Sequence, residues 1–305
     1  MASLPSGWTW RWRVIVTVVC AALLSFCMET LQNFLPTRVA SNIDLAVNSL
    51  GALLGALAGM RWGQALFAPG RGLARWRERY ITDGLTGDAG LILIMLWLLV
   101  QLTPNHLLFP GGEWRKLLGI APPLPFAAGR LIAFETAQTA SMLVAVGLFA
   151  RCTLHISGKT LLMALLTLGI GARTLASVYW LMPSAPLAWV TPGAGYGLLI
   201  GGGLLVLALY LPRVAQHALA GTTLLMASML INMMPESPYI LNSGPSVIRS
   251  GNYSNFYGLC RLVAALWPFA ALAYLSVLGL WRGERLEDKS KSAGSQYESR
   301  SPSSW

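Results

Sequence analysis

Polar side chains that could do chemistry are concentrated in one stretch of the sequence, residues 29–51, which joins two apolar segments. Carboxylates beside a guanidinium and amides can bind a polar head group through charge-assisted hydrogen bonds, and a carboxylate can also act as a general acid or base. The candidate residues, which we name the polar motif, are Glu29, Gln32, Pro36, Arg38, Asn42, Asp44, Asn48 and Gly51.

The spacing within the polar motif predicts a helical hairpin. Glu29 and Gln32 are three residues apart, so they share one face near the end of a first helix. Pro36 ends that helix because it has no backbone N–H to donate. Asn42, or Ser41 before it, can cap the second helix through its side-chain oxygen.

The second helix of this hairpin carries polar and then small residues on one face. Asp44, Asn48 and Gly51 follow one another at spacings of four and three residues, and Gly55 and Gly59 continue the stripe. Small residues let membrane helices approach closely, so the stripe is expected to pack the second helix against the first. This packing predicts a polar pocket near one membrane surface, with the loop arginine as its counter-charge. The alternative is a capped hairpin whose carboxylates only satisfy that arginine and the loop amides.

The remainder of the chain has the composition of a membrane protein. It has 305 residues, of which 55% are hydrophobic and 11% charged, and its apolar runs repeatedly reach the roughly 20 residues that cross a bilayer. Helices satisfy their own backbone groups in lipid, so the predicted fold is an all-α, polytopic transmembrane helical bundle of about eight helices. The predicted spans are 14–31, 43–60, 89–103, 131–150, 160–182, 187–211, 214–233 and 262–281. Because 89–103 is short and 43–60 is amphipathic at its start, seven crossings plus one re-entrant helix is the alternative.

The distribution of basic residues predicts the orientation of these helices. Lys and Arg in short loops stay on the cytoplasmic side. With the N-terminus inside, fifteen Lys and Arg residues lie inside, six lie outside and Arg173 lies within a span. The opposite orientation would invert the rule, so both termini are predicted to be cytoplasmic. The polar motif and the loops 104–130 and 234–261 then face the extracytoplasmic side.

A second group of polar residues lies within the predicted spans. Glu135 and Gln138 are on the fourth span and Arg173 is on the fifth, at overlapping depths below the outer end. Their types and depths predict an intramembrane polar pair. This pair would either hold two helices together or belong to a substrate pathway. The glycines of residues 193–203 indicate a sixth helix that is either closely packed or flexible.

Several other classes of site are not supported by the sequence. The net charge of +10 does not indicate nucleic-acid binding, because the basic residues cluster beside helix ends, where anionic head groups account for them. The four cysteines lack metal-ligand spacing and the three histidines lie on different loops and sides, so no metal site is expected. No phosphate-binding, hydrolase or metalloprotease motif occurs in the sequence, and no cofactor is expected.

The ordered polar set resembles the VanZ-like family, whose signature is Glu-x-x-Gln at a helix end, then Pro and Arg, then Asp-x-x-x-Asn-x-x-Gly opening the next helix. The resemblance covers about residues 14–60. It implies a bacterial integral membrane protein of the cell envelope, located in the cytoplasmic (inner) membrane, in a family named for low-level resistance to the glycopeptide teicoplanin. The family has no established catalytic mechanism. Its domain normally begins with two further helices, so the chain is expected to lack the first two helices of the domain.

The resemblance and the spans together predict four segments. Residues 1–62 are the C-terminal half of a VanZ-like domain, 63–88 a basic cytoplasmic loop, 89–281 a six-helix membrane extension and 282–305 a disordered cytoplasmic tail.

Three classes of function stay open at this point. The first is a non-enzymatic envelope protein whose outer pocket binds a lipid-linked cell-wall precursor or a glycopeptide antibiotic, with membrane lipids as its other partners. The second is a membrane enzyme that uses Glu29 or Asp44 as acid or base on a lipid head group. The third is a transporter or flippase that uses Glu135 and Arg173.

Overall fold

The protein is described by a computed structural model, which covers residues 9–32, 42–67, 72–81, 84–103, 108–109, 111–153, 159–180, 186–187, 189–235 and 259–280. Its elements are α-helices, so the predicted all-α class is confirmed. The chain divides into two compact units, Met1–Tyr80 and Ile81–Trp305. The division falls inside the predicted loop 63–88, and the four predicted segments stay predictions. The predicted disordered tail lies outside the described residues.

Unit 1 is a helical hairpin followed by a short basic helix. Its helices are α1 (Trp10–Gln32), α2 (Asn42–Phe67) and α3 (Gly72–Tyr80). The two long helices pack against each other, as expected for the predicted helical hairpin. α3 has no buried residue, which distinguishes it from the packed helices of the chain.

Unit 2 contains the other helices of the described chain. They are α4 (Leu85–Gln101), α5 (Trp114–Leu117), α6 (Ala128–Thr153), α7 (Lys159–Trp180), α8 (Pro192–Ala208), α9 (Arg213–Met233) and α10 (Leu259–Leu280). α6 is the central helix of the unit. Every residue from Met142 to Ala150 is buried, and α8 and α9 pack along it. Phe149 of α6 meets two aromatic rings of α10, Trp267 at 5.6 Å and Tyr274 at 5.3 Å between ring centroids.

All eight predicted spans fall on helices. Among the described residues, four helices are long and apolar enough to cross a membrane: Ala128–Thr153, Lys159–Tyr179, Arg213–Met233 and Leu259–Leu280. Shorter apolar helices cover Val14–Cys27, Leu85–Gln101 and Pro192–Ala208. A multi-pass architecture is thus confirmed, while the total of eight crossings and the orientation of the termini stay predictions.

The start of the sixth predicted span, 187–211, requires correction. α8 begins only at Pro192, because Thr191 is its N-cap and Pro at the first helical position has no N–H to lose. α8 therefore has 17 residues, a length of about 25 Å at 1.5 Å per residue. This length is less than the roughly 30 Å of a bilayer's hydrocarbon core.

The glycines of α8 pack against α6. Gly193, Gly197 and Gly201 repeat at a spacing of four residues and lie on the face that meets α6. A Cβ at Gly201 would lie 2.8 Å from the Cα of Ala140, and a Cβ at Gly197 would lie 2.9 Å from the carbonyl oxygen of Thr136. The two backbones are therefore in close contact, and of the two alternatives for this helix the structure supports close packing.

The segment after α4 folds into the bundle. Phe109 is fully buried, with 0% of its surface exposed, and its ring stacks on that of Trp97 at 5.8 Å between centroids. Gly112, at a φ of +84°, turns the chain in a conformation that favours glycine. We name residues 108–109 and 111–120 the inserted segment. The sequence predicted only an outer loop here, because the segment lacks the length of a span.

Candidate functional sites

The structure describes only part of the polar motif. Glu29 and Gln32 lie in the last turns of α1, and Asn42 and Asp44 lie in the first turn of α2. The side chains of these four residues, together with Pro36 and Arg38, lie outside the described residues. Asn48 and Gly51 are described. The predicted pocket therefore stays a prediction, and its described part is the contact between α1 and α2.

Asn48 connects the two helices of the hairpin. Its Nδ2 donates a hydrogen bond to the Oγ of Ser25 at 2.9 Å. Ser25 lies near the end of α1 and is buried, with 8% of its surface exposed. This hydrogen bond defines the register of α1 against α2. It confirms that the chain turns back on itself between the two helices.

The glycine stripe of α2 does not form this contact. Gly51 and Gly55 are exposed, and a Cβ at either position would meet no atom of the described residues within 4 Å. The buried small residue of α2 is Ala56, with 3% exposed. The expected role of Gly51 and Gly55 in packing α2 against α1 is therefore wrong, because neither glycine is in contact with α1.

Polar residues of unit 2 lie together, buried or half-buried, at one end of its helices. This end contains the C-terminal ends of α4, α7 and α9 and the N-terminal ends of α6 and α8. We name this group the polar layer, and it consists of Thr103, Arg115, Glu135, Gln138, Arg173, Thr191 and Asn232. It includes Glu135, Gln138 and Arg173, from which the sequence predicted an intramembrane polar pair.

Glu135 lies against the N-terminus of α8. The Oγ1 of Thr191 donates to its Oε1 at 2.6 Å and accepts from the backbone N of Ala194 at 3.1 Å. Gly193 makes room for the carboxyl group, because a Cβ there would lie 2.7 Å from the Cβ of Glu135. The N-terminus of a helix carries a partial positive charge and favours an acidic group beside it. The N-terminus of α8 therefore offsets part of the cost of burying the carboxyl group of Glu135.

Arg173 lies against the C-terminus of α4. Its Nη1 donates to the backbone carbonyl of Thr103, which lies two residues after the last residue of that helix. The C-terminus of a helix carries a partial negative charge and favours a cation. Arg173 is buried, with 3% of its surface exposed. These hydrogen bonds join Glu135 and Arg173 to different partners. The acid lies at the positive end of α8, and the arginine lies at the negative end of α4. Direct pairing between them stays a prediction.

Gln138 and Asn232 fasten the inserted segment. The Nε2 of Gln138 donates to the carbonyl oxygen of Phe109 at 2.8 Å. Asn232 donates to the carbonyl oxygen of Gly112 at 2.8 Å and accepts from the backbone N of Arg115 at 3.0 Å. These bonds satisfy backbone groups that lie before α5 or in its first turn, and such groups would be costly to bury without a partner.

Four residues of the polar layer were not predicted from the sequence: Thr103, Arg115, Thr191 and Asn232. For Asn232 a signal was present, because a polar amide near the end of an apolar span has to find a partner. For Thr103 and Thr191 the signal is weak, because threonine is common in membrane helices and in loops alike. Among the described residues, no three His, Cys, Asp or Glu side chains are grouped so that they could hold a metal ion.

The fold and these sites define an α-helical, multi-pass membrane protein with a polar hairpin in unit 1. Residues 2–63 match the model of the family described as VanZ/LLP1. The resemblance inferred from the polar motif is thereby confirmed for this part of the chain, which includes α1 and most of α2. No curated protein and no solved structure matches the chain.

Proposed function

We propose that this protein acts in the bacterial cytoplasmic membrane as a VanZ-type envelope protein whose polar motif binds an extracytoplasmic ligand. The proposed ligand is the head group of a lipid-linked cell-wall precursor or a glycopeptide of the teicoplanin type. The observation that carries this proposal is the hydrogen bond from Asn48 to Ser25, because it sets the register of the hairpin.

The register supports a shared pocket for the two acids. Glu29 follows Ser25 by four residues on α1, and Asp44 precedes Asn48 by four residues on α2. The helices run in opposite directions, so both positions lie on the same side of the hydrogen bond. At 1.5 Å per residue, each is about 6 Å beyond it along its helix. The motif residues at the two helix ends therefore occupy one level of the hairpin.

The chemistry of the motif supports a ligand with a polar head group. Carboxylates accept hydrogen bonds from the hydroxyl and amide groups of sugars and peptides, and Arg38 can pair with a phosphate or carboxylate. An ionisable group at membrane depth costs roughly 2.5–3.5 kcal/mol on insertion scales. The two acids, Glu29 and Asp44, are more than the capping of the two helix ends requires. The apolar faces of α1 and α2 would accommodate the lipid part of such a ligand.

A susceptibility measurement tests the proposal. A host expressing the wild-type chain is compared with one expressing a Glu29→Ala, Asp44→Ala double variant, at matched membrane levels, against teicoplanin and against vancomycin. We expect protection that is selective for teicoplanin and is lost in the double variant. A matched control, Asp88→Ala, removes an exposed acid of unit 2 and should keep the protection.

Binding to the purified protein separates the two ligand classes. Full-length protein in nanodiscs is titrated with labelled teicoplanin and with a labelled lipid-linked precursor. Loss of two charged hydrogen-bonding groups should weaken binding of the true ligand by at least about tenfold, at 1.5–3 kcal/mol for each such bond. If the double variant bound both ligands as tightly as the wild type does, the proposed pocket would be refuted.

A further inference from the structure

We infer that α3 is a membrane-surface helix that binds the head groups of anionic phospholipids. This inference concerns the end of unit 1 opposite to the polar motif and does not depend on the proposed function.

One face of α3 is apolar and exposed. Leu73, Trp76 and Tyr80 are spaced three and four residues apart, so they lie along one side of the helix. Leu73 is 47% and Trp76 is 40% exposed. The rings of Trp76 and Tyr80 are 5.6 Å apart between centroids and form a continuous aromatic surface. Trp and Tyr are the residues that favour the boundary between lipid and water.

The rest of the α3 surface is basic. Arg75 and Arg79 are four residues apart and share a side, and Arg77, two residues from each, lies on the opposite flank of the apolar side. With Glu78 as its one acidic residue, the nine-residue helix has a net charge of +2. An apolar, aromatic side with basic flanks fits a helix that lies in the plane of a membrane, with its arginines at the level of the head groups.

The connection to α2 restricts where α3 can lie. α2 has 26 residues, about 39 Å at 1.5 Å per residue, which is enough to cross a membrane. α3 begins at Gly72, five residues after the end of α2 at Phe67. Five steps of 3.8 Å limit the distance between these two Cα atoms to about 19 Å. The helix is thus held close to the surface at which α2, with its predicted crossing, leaves the bilayer.

The net positive charge of α3 predicts which lipids the helix binds more strongly. A basic residue near an anionic surface contributes about 1 kcal/mol of binding, whereas a zwitterionic surface offers only the apolar contribution. An amphipathic helix of two and a half turns buries little apolar area, so its attachment should depend on anionic lipid.

Protection from trypsin provides the test, because the arginines of α3 are themselves the cleavage sites. The full-length protein is placed in nanodiscs of phosphatidylcholine, or of phosphatidylcholine with one third phosphatidylglycerol. Cleavage after Arg75, Arg77 and Arg79 is followed by mass spectrometry relative to cleavage after Lys289 in the tail. We expect cleavage in α3 to be at least about fivefold slower in the anionic discs, the effect of one head-group contact.

Two variants make the result specific. Leu73→Ser with Trp76→Ser keeps all three cleavage sites but removes the apolar side, so protection in anionic discs should be lost. The matched control is Trp114→Ser with Leu118→Ser, which removes the same two residue types from exposed positions in unit 2 and should leave protection unchanged. Equal rates of cleavage in both lipids would overturn the inference. Equally slow cleavage would mean that protein covers α3, and equally fast cleavage would mean that α3 is uncovered. Unaltered protection in the first variant would also overturn it.

Discussion

Charged residues of the polar layer are accommodated by helix ends. Glu135 meets the start of α8 through Thr191, and Arg173 meets the end of α4 through the carbonyl of Thr103. A helix end supplies both hydrogen-bonding groups and a partial charge of the required sign. This arrangement supports a structural role for the two residues, in which each ties the end of one short helix to a neighbouring long one.

Thr191 should therefore contribute more to stability than a typical threonine. Thr191→Val removes the hydrogen bond to Glu135 and the cap of α8 together, and we expect the free energy of unfolding to fall by about 1–3 kcal/mol. In a Glu135→Leu background the same change should cost about 1 kcal/mol less, because the two side chains share one bond. Unfolding by sodium dodecyl sulfate in mild detergent, followed by circular dichroism, measures these differences.

The matched control for this cycle is Thr222→Val in α9. Thr222 is exposed and donates only within its own helix, to the carbonyl oxygen of Leu219 at 3.1 Å. Its replacement should change the unfolding free energy by no more than about 0.5 kcal/mol. Equal effects of Thr191→Val in the presence and absence of Glu135 would show that the two side chains are not coupled.

At the scale of elements, neighbouring glycines of α8 have different roles. Gly201 faces α6, where a Cβ would lie 2.8 Å from the Cα of Ala140 and 2.9 Å from its carbonyl oxygen. A Cβ on Gly202 would meet no described atom within 4 Å. Backbone atoms cannot move aside as a flexible side chain can, so of these two glycines it is Gly201 that the packing requires.

These two glycines provide a matched pair of substitutions. Both changes to alanine gain helix propensity, so Gly202→Ala should raise the free energy of unfolding by up to about 1 kcal/mol. Gly201→Ala should lower it by about 1–3 kcal/mol, because the helices must separate to admit the methyl group. The same unfolding titration measures both. A stabilising effect of Gly201→Ala would contradict the close contact of α6 and α8.

The elements could be predicted from the sequence because they depend on local properties. Runs of apolar residues identified all eight long helices, and the spacing of glycines in α8 indicated its close packing. The start of α8 was missed by five residues, because Val190 and Trp189 continue the apolar run while the cap at Thr191 interrupts the helix. α3 and the inserted segment were missed because neither has the length of a span.

The sites depend on long-range contacts and were less predictable. The hydropathy of α4 and α7 could not show that Arg173 reaches the carbonyl of Thr103, because that contact depends on how the two helices cross. Similarly, the stripe of Gly51 and Gly55 has the pattern of a packing face, but the buried small residue of α2 is Ala56. Spacing shows which residues share a face and does not show what that face meets.

At the scale of the whole molecule, the distribution of charge makes a prediction about orientation. Fifteen Lys and Arg residues lie on the side predicted to be cytoplasmic, against six on the other. This rule places the loop between α1 and α2 outside, and it places the inserted segment outside as well. The prediction requires α2 and α4 each to cross the membrane completely.

Reporter insertions at three positions test this topology. Alkaline phosphatase, which is active only outside the cytoplasm, is inserted after Arg38, after Gly119 and after Leu211 of the full chain. We expect activity at the first two positions and none at the third. The reverse pattern would refute the orientation. Activity at only one of the first two positions would mean that an odd number of helices crosses between them, as required if α2 or α4 were re-entrant. Because α4 has 17 residues, about 25 Å, this comparison decides between eight crossings and seven.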